Sequence, residues 1–173
     1  MMYFETLPST NAYCKENMKT LAHGEVVWTK NQTAGYGQHG RTWLCDDNLA
    51  VSVVLKGVPT PQLSGLREVC LDAIKQGISA FGRDVDITPP NDFTVNGKKV
   101  GGCLCESIIT GSIADVVVGF GLNTTSAPEN LPNGGGKSLA AQSLDLQGFE
   151  EEVAEICSTL IVKAIDLLIL QEG

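Results

Sequence analysis

Basic residues are scarce in this chain: 12 Lys and Arg stand against 20 Asp and Glu, a net charge of −8. Neutralising phosphate groups requires clustered cations, so binding to nucleic acid or to an anionic membrane is excluded as a general function. No apolar run approaches the roughly 18 residues of a membrane span. The N-terminus, MMYFETLPST, has no basic segment followed by an apolar stretch. No signal peptide is therefore expected, and the expected location is the cytoplasm. The six cysteines, Cys14, Cys45, Cys70, Cys103, Cys105 and Cys157, show no C-x-x-C spacing. They read as free thiols of a reducing compartment, with the C-x-C at Cys103 and Cys105 supplying at most part of a metal site. A P-loop is lacking, because no Gly-Lys-Ser/Thr ends a glycine-rich loop at a helix. A dinucleotide fingerprint is lacking too, because the glycine-rich stretch leads into a strand. Neither an internal repeat nor a linker divides the chain, and 173 residues suit one domain.

What is present is a globular composition, 43% hydrophobic and 18% charged. MYFETL alternates as a strand, and Ser9-Thr10-Asn11 opens a helix through about Thr20, with Ser9 or Thr10 as its cap. EVVWTK and LAVSVVL read as strands on either side of a loop, QTAGYGQHGRTW. From Leu63 to Phe81, Leu63, Leu66, Cys70, Ile74, Ile78 and Phe81 recur at helical spacing, which marks one buried face. A short strand near Val85–Ile87 stops at Pro89-Pro90. FTV-NG-KKV is two alternating runs joined by Asn96-Gly97, the signature of a type I′ hairpin. GGCLCESII and IADVVVGFGL continue as antiparallel strands around Thr110-Gly111. Residues Asn123 to Ser138 read as a loop, and Phe149, Val153, Ile156, Leu160, Ala164 and Leu167 mark an amphipathic C-terminal helix. The fold class expected is α+β, a mixed and largely antiparallel sheet with helices packed on it. Gly35, Gly37 and Gly40 permit positive φ or close backbone approach, so the loop's N–H groups could cradle an anion.

The first strand followed by Ser9-Thr10-Asn11, then QTAGYGQHGRTW, PPNDF, NGKKVGG and GFGLN, keeps an order and spacing that resembles the catalytic domain of biotin protein ligases. The resemblance runs from about residue 3 to the end of the chain. It implies the class II aminoacyl-tRNA synthetase/biotin ligase-like fold of the biotin/lipoate protein ligase superfamily. The implied enzyme joins biotin and ATP, with Mg²⁺, into biotinyl-AMP, then transfers biotin to a lysine of a biotin carboxyl carrier protein.

On that resemblance, Lys99 screens the two anions that react, with Lys98 as a second choice, and Asp92 orients Lys99 or helps hold Mg²⁺. Ser9, Thr10 and Gln32 meet the ureido group, whose donors and acceptor suit hydroxyls and amides. Asn11, Gly35, Gly37, Gly101 and Gly102 complete the biotin pocket, the last two by letting the strand's backbone lie against the ligand. Trp43 and Asn123 contact adenine, and Gln38, Arg41 and Asn91 complete the nucleotide and phosphate site. The family's loop carries arginines where this chain has Tyr36, Gln38 and His39; Arg41 alone matches. Thr88-Pro89 likewise replaces Lys-Trp before Pro90-Asn91-Asp92.

Two other readings stay open at this point. One is a lipoyl or octanoyl acyltransferase, with Cys103 or Cys105 as a nucleophile close in sequence to Lys99. The other is a catalytically impaired biotin-binding paralogue that has lost its phosphate arginines. The whole of 1–173 is expected to be one catalytic domain without an N-terminal DNA-binding domain or a C-terminal SH3-like domain, and a homodimer is compatible with it.

Overall fold

Alternation along the two longest central strands decides which side of the sheet carries the core. In the computed structural model, which describes residues 1–128 and 140–170, seven strands form one sheet in the order β1-β2-β3-β7-β6-β5-β4. β1 (Met2–Phe4) runs parallel to β2 (Val26–Thr29), and every other neighbouring pair is antiparallel. In β3 (Leu49–Pro59), Leu49, Val51, Val53 and Leu55 point to one face, as do Val116, Val118, Phe120 and Leu122 of β7 (Ile113–Leu122). These residues meet the apolar stripes of α2 (Leu63–Ser79) and α3 (Glu150–Leu170), and together they form the main core. On the other face, Val27, Val54 and Val117 pack with Leu7, Cys14 and Met18 beneath α1 (Thr10–Glu16). That short helix covers only one end of its face, and the uncovered remainder is available for a site.

Local chemistry sets the element ends. Ser9 caps α1, accepting from the Ala12 amide at 3.3 Å. The helix stops at Glu16 rather than near Thr20, because the Asn17 side chain donates to the Tyr13 carbonyl at 2.9 Å and competes with the backbone. β3 continues to Pro59 through a bulge at which Gly57 takes φ 65°. β4 (Asp86–Thr88), β5 (Asp92–Val95) and β6 (Lys98–Thr110) follow as expected. Asn96 and Gly97 have φ of 51° and 73°, both positive as a type I′ turn requires. The expected loop from Asn123 to Ser138 is irregular up to Pro128, and its remainder lies outside the described residues. Among the described residues no helix is long and apolar enough to cross a membrane.

The two core helices touch where α2 has no side chain. A Cβ on Gly77 would collide with Cys157 Sγ and stand 3.1 Å from Cys157 Cα on α3. Gly65, also in α2, faces open space with an ordinary helical backbone. Gly77→Ala should therefore destabilise the fold by about 1–3 kcal/mol through overpacking. Gly65→Ala should stabilise it by about 0.5–1 kcal/mol through reduced chain entropy. Urea unfolding midpoints of the two variants should move in opposite directions.

Candidate active site

A row of small residues crosses the sheet on the face that α1 leaves open. Ala50 of β3 lies opposite Gly121 of β7, which lies opposite Gly102 of β6. The next row on that face is Ser52, Gly119 and Leu104. Without bulk there, a cleft of about 450 Å³ opens above the sheet. Two of the glycines are filled by side chains from elsewhere. A Cβ on Gly119 would sit 2.7 Å from Asn11 Cγ, and one on Gly121 would sit 2.6 Å from Trp43 Nε1. Asn11 and Trp43 thus lie flat on the floor from opposite sides.

Lys99 reaches this cleft because of a bulge. Phe93 pairs with Gly101 but Thr94 pairs with Lys99, so Val100 is an extra residue in β6. In an unbroken strand Lys99 would share a face with Gly101 and Cys103, beneath α2 and α3. The bulge buries Val100 in that core and turns Lys99 to the cleft side, where its ammonium lies 2.7 Å from Asp92 Oδ1 and 5.6 Å from the Trp43 ring centroid. Its backbone is held as well: the amide donates to Ala140 O at 2.7 Å, and the carbonyl accepts from Gln142 at 2.8 Å. Lys98 points to solvent.

At one end of the cleft, Thr10 donates to Gln32 Oε1 from its amide at 2.8 Å and from its hydroxyl at 3.2 Å. Ser52 Oγ lies 2.8 Å from Thr10 Oγ1 and 2.6 Å from Asn11 Oδ1. Ser9, Thr10, Asn11 and Gln32 form a polar wall of hydroxyls and amides, with the buried Ser52 hydroxyl behind it. At the other end, the Asn123 amide donates to Gln142 O at 3.2 Å and leans toward Lys99 O at 3.4 Å. Its Oδ1 and the Trp43 indole N–H are buried with no protein partner among the described residues. One unspent acceptor and one unspent donor in a cleft wall are groups that a ligand can satisfy.

The loop between β2 and β3 folds as a small hairpin. The Gly37 amide donates to Arg41 O at 2.7 Å, and the Trp43 amide donates to Gly35 O at 2.9 Å. Its tip runs through His39 and Gly40, with φ of 57° and 70°. Tyr36, Gly37, Gln38, Arg41 and Trp43 all line the cleft. Behind them, outside the lining, stands Glu106 of β6. Its burial alone would raise its pKa, but hydrogen bonds from Lys15, Asn11 and Tyr36 outweigh that and hold the carboxyl below its ordinary 4.5.

The structure corrects three expectations. Gly101 does not line the cleft; its missing Cβ makes room for Gly121 O, 2.6 Å away, and Leu122 of the neighbouring strand. Gly35 does not line it either; a Cβ there would stand 2.5 Å from Gln32 Nε2 and from Trp43 O, so this glycine serves the loop's own packing. The thiols of Cys103 and Cys105 lie 3.9 Å apart beside Cys70 of α2, in the core on the face opposite Lys99. The hydrogen bond to Cys105, with complete burial, pushes the Cys103 thiol up. Hydrogen bonds with Cys103 and Cys70 hold the Cys105 thiol well down, and Cys103 borders the cleft, but both thiols pack in the core, away from the lysine. Asn91 borders the cleft, but its side-chain amide donates to Cys103 O at 2.7 Å and its backbone carbonyl accepts from the Cys103 amide at 2.9 Å. Ser9, Thr10, Asn11, Gln32, Gly37, Gln38, Arg41, Trp43, Asn91, Asp92, Lys99, Gly102 and Asn123 converge on one cleft. Ala50, Ser52 and Glu106 join the site through long-range pairing that no sequence motif marks. The small residues two apart in GFG, matched across the sheet, were the available signal for the floor.

The described residues do not offer Mg²⁺ a site of their own. Among them Asp92 is the carboxylate that lines the cleft, and it is paired with Lys99. Among the described residues no group of three or more His, Cys, Asp or Glu could hold a metal ion.

Residues 3–123 match the biotin/lipoate A/B protein ligase family, and the chain belongs to it. It is 34% identical over 142 residues to the bifunctional ligase/repressor BirA of Bacillus subtilis, a match covering 77% of this chain and 43% of that protein. It is 34% identical over 128 residues to the biotin–[acetyl-CoA-carboxylase] ligase of Paracoccus denitrificans, covering 70% and 53%. The fold is that of the biotin protein ligase from Aquifex aeolicus solved in complex with biotin and ATP, with a TM-score of 0.75 at 22% identity over 97% of this chain and 71% of that one. The chain thus spans about half the length of the curated relatives it matches.

The Glu106 cluster should show in the acid stability of the protein. A carboxyl whose folded pKa is depressed contributes stability that is complete above its unfolded value and is lost as pH falls through the folded one. The window therefore opens at about pH 4.5 and extends below it. Glu106→Gln should flatten the fall of the thermal midpoint between pH 5 and roughly pH 3 while changing its slope little near neutrality. With its side chain 25% exposed, solvent screening keeps the effect modest.

Proposed function

We propose that this member of the biotin/lipoate A/B protein ligase family is an ATP-dependent biotin–protein ligase domain. It forms biotinyl-AMP and transfers biotin to a lysine of a biotin carboxyl carrier protein. The observation that carries this reading is Lys99, turned by a one-residue bulge onto a glycine floor and paired with Asp92 at 2.7 Å.

Biotin's carboxylate must attack the α-phosphorus of ATP, and two anions repel one another. An ammonium fixed beside both screens that repulsion and stabilises the charge that develops on the transferring phosphoryl group. A new bond forms from the carboxylate oxygen to phosphorus, and pyrophosphate leaves. In the second step a neutral amine of the acceptor lysine attacks the acyl carbon, AMP leaves with the shared oxygen, and the amine's proton is released to solvent. The wall of Ser9, Thr10 and Gln32 suits the ureido ring, which needs both donors and acceptors. Asn123 Oδ1 and the Trp43 indole suit an adenine with its exocyclic amino donor and ring acceptors. Asp92 positions Lys99. No step is routed through a metal held by the protein. The core-facing thiols give no support to an acyltransferase that uses a cysteine nucleophile.

Pyrophosphate release that requires both ATP and biotin, and that lipoate or octanoate cannot replace, is the direct test. Lys99→Ala should lower that rate by about 100-fold or more and leave biotin affinity within a few-fold, because the ammonium acts mainly on transition-state charge. Equal rates in variant and parent would remove Lys99 from the chemistry. Gln38 lines the same cleft with neutral groups only, so Gln38→Arg should slow release of the adenylate by about tenfold through charge-assisted contacts to phosphate. An unchanged release rate would mean that position 38 does not meet the phosphate.

A further inference from the structure

Trp43 anchors one end of the hairpin on the Gly121 floor, and the polar ties of residues 35–42 stay mostly within the hairpin. Their backbone bonds, Gly37 to Arg41 and Trp43 to Gly35, stay within the hairpin. Among the described residues, one side-chain hydrogen bond joins this hairpin to another element: Tyr36 Oη donates to Glu106 Oε2 at 2.9 Å. Glu106 is itself firmly held. Asn11 Nδ2 donates to the same oxygen at 2.8 Å, and Lys15 Nζ lies 2.6 Å from Oε1. The Lys15 ammonium also lies 5.4 Å from the centroid of the Tyr36 ring. One carboxylate on β6 thus gathers two residues of α1 and one of the hairpin. Glu106 does not line the cleft, but Tyr36 and Asn11, which it holds, both do.

We propose that Glu106 is a positioning residue that latches the hairpin over the cleft through the Tyr36 hydroxyl, and that this latch sets how long a ligand stays bound. The consequence for biotin rests on the ligase reading given above; the latch itself does not. The geometry has the features of a reversible catch. The bond to a carboxylate is charge-assisted and stronger than a neutral one. The Glu106 side chain nevertheless keeps 25% of its exposure, so water can replace the tyrosine. Opening the bond frees the hairpin without disturbing either core, because none of Tyr36, Glu106 and Lys15 belongs to the buried clusters. Asn11 stays on Gly119 through Ser52, so the floor persists when the latch opens.

Tyr36→Phe removes one oxygen and keeps the ring. Amide exchange of residues 36–42 in the ligand-free chain should quicken by about tenfold, with exchange in β3 and β7 unchanged. Biotin dissociation should quicken by a similar factor, raising KM for biotin, while kcat stays within about twofold; a general loss of structure would lower both. Glu106→Ala should loosen the same amides, and adding Tyr36→Phe to it should have no further effect, because both changes open one contact. Hairpin exchange in Tyr36→Phe equal to that of the parent would overturn the proposal, and so would additive effects in the double variant. If no form of the protein binds biotin, the ligase reading fails, and the exchange measurement still decides the latch.

Discussion

The cleft depends on the absence of side chains along one row of the sheet. Ala50, Gly121 and Gly102 stand side by side on three adjacent strands, and their neighbours Ser52 and Gly119 are nearly as small. A sheet face normally closes by packing bulk against a helix or another sheet. Here α1 covers one end, and the rest is left hollow with backbone as its floor. Every other feature of the site uses that hollow: Asn11 and Trp43 lie down on Gly119 and Gly121, and Lys99 is turned toward it with Asp92 alongside. The arrangement leaves Asn123 Oδ1 and the Trp43 N–H buried and unpaired, groups that serve a ligand better than they serve the fold.

The opposite face obeys the ordinary rules, and it was the legible part of the sequence. The 3.6-residue spacing of Leu66, Cys70, Ile74 and Ile78 predicts the buried stripe of α2, and Asn96-Gly97 predicts its turn from local chemistry alone. The motif order also predicts which polar residues share a cleft. What the sequence does not carry is strand parity across a bulge. Counting by twos from Cys103 puts Lys99 and Gly101 in the core, and only the pairing of Phe93 with Gly101 and Thr94 with Lys99 reveals the extra residue. Gly102, not Gly101, borders the cleft by plain alternation from Cys103, because the register is unbroken on that side of the bulge. The bulge explains why cysteines close to Lys99 in sequence lie on the far side of the sheet. The Glu106 contacts were equally hidden, because Tyr36 and Asn11 reach it from 70 and 95 residues away and no local pattern announces such a meeting.

Charge is distributed to match. An acidic chain with net charge −8 would repel the anionic substrates proposed for it unless cations were placed at the cleft. Lys99 and Arg41 line it, and Lys15 stands just behind Tyr36, each ammonium paired with a carboxylate that fixes its position. Holding Lys99 on a doubly anchored strand, rather than on the mobile end of a loop, keeps its ammonium in place before substrates arrive. Such preorganisation is the main electrostatic advantage available to a site that must bring two anions together.

Under the proposed function, the glycine-floored cleft holds biotin and nucleotide together across Lys99. A crystal structure of the chain with biotin and a non-hydrolysable ATP analogue should show it. The fused rings of biotin are expected against Gly102 and Gly119 with the ureido group at Thr10 and Gln32. Adenine is expected beside Trp43 and Asn123, with the carboxylate and α-phosphate meeting at Lys99 Nζ. Either ligand bound outside this cleft, or the two bound in it with Lys99 turned away from both, would contradict it.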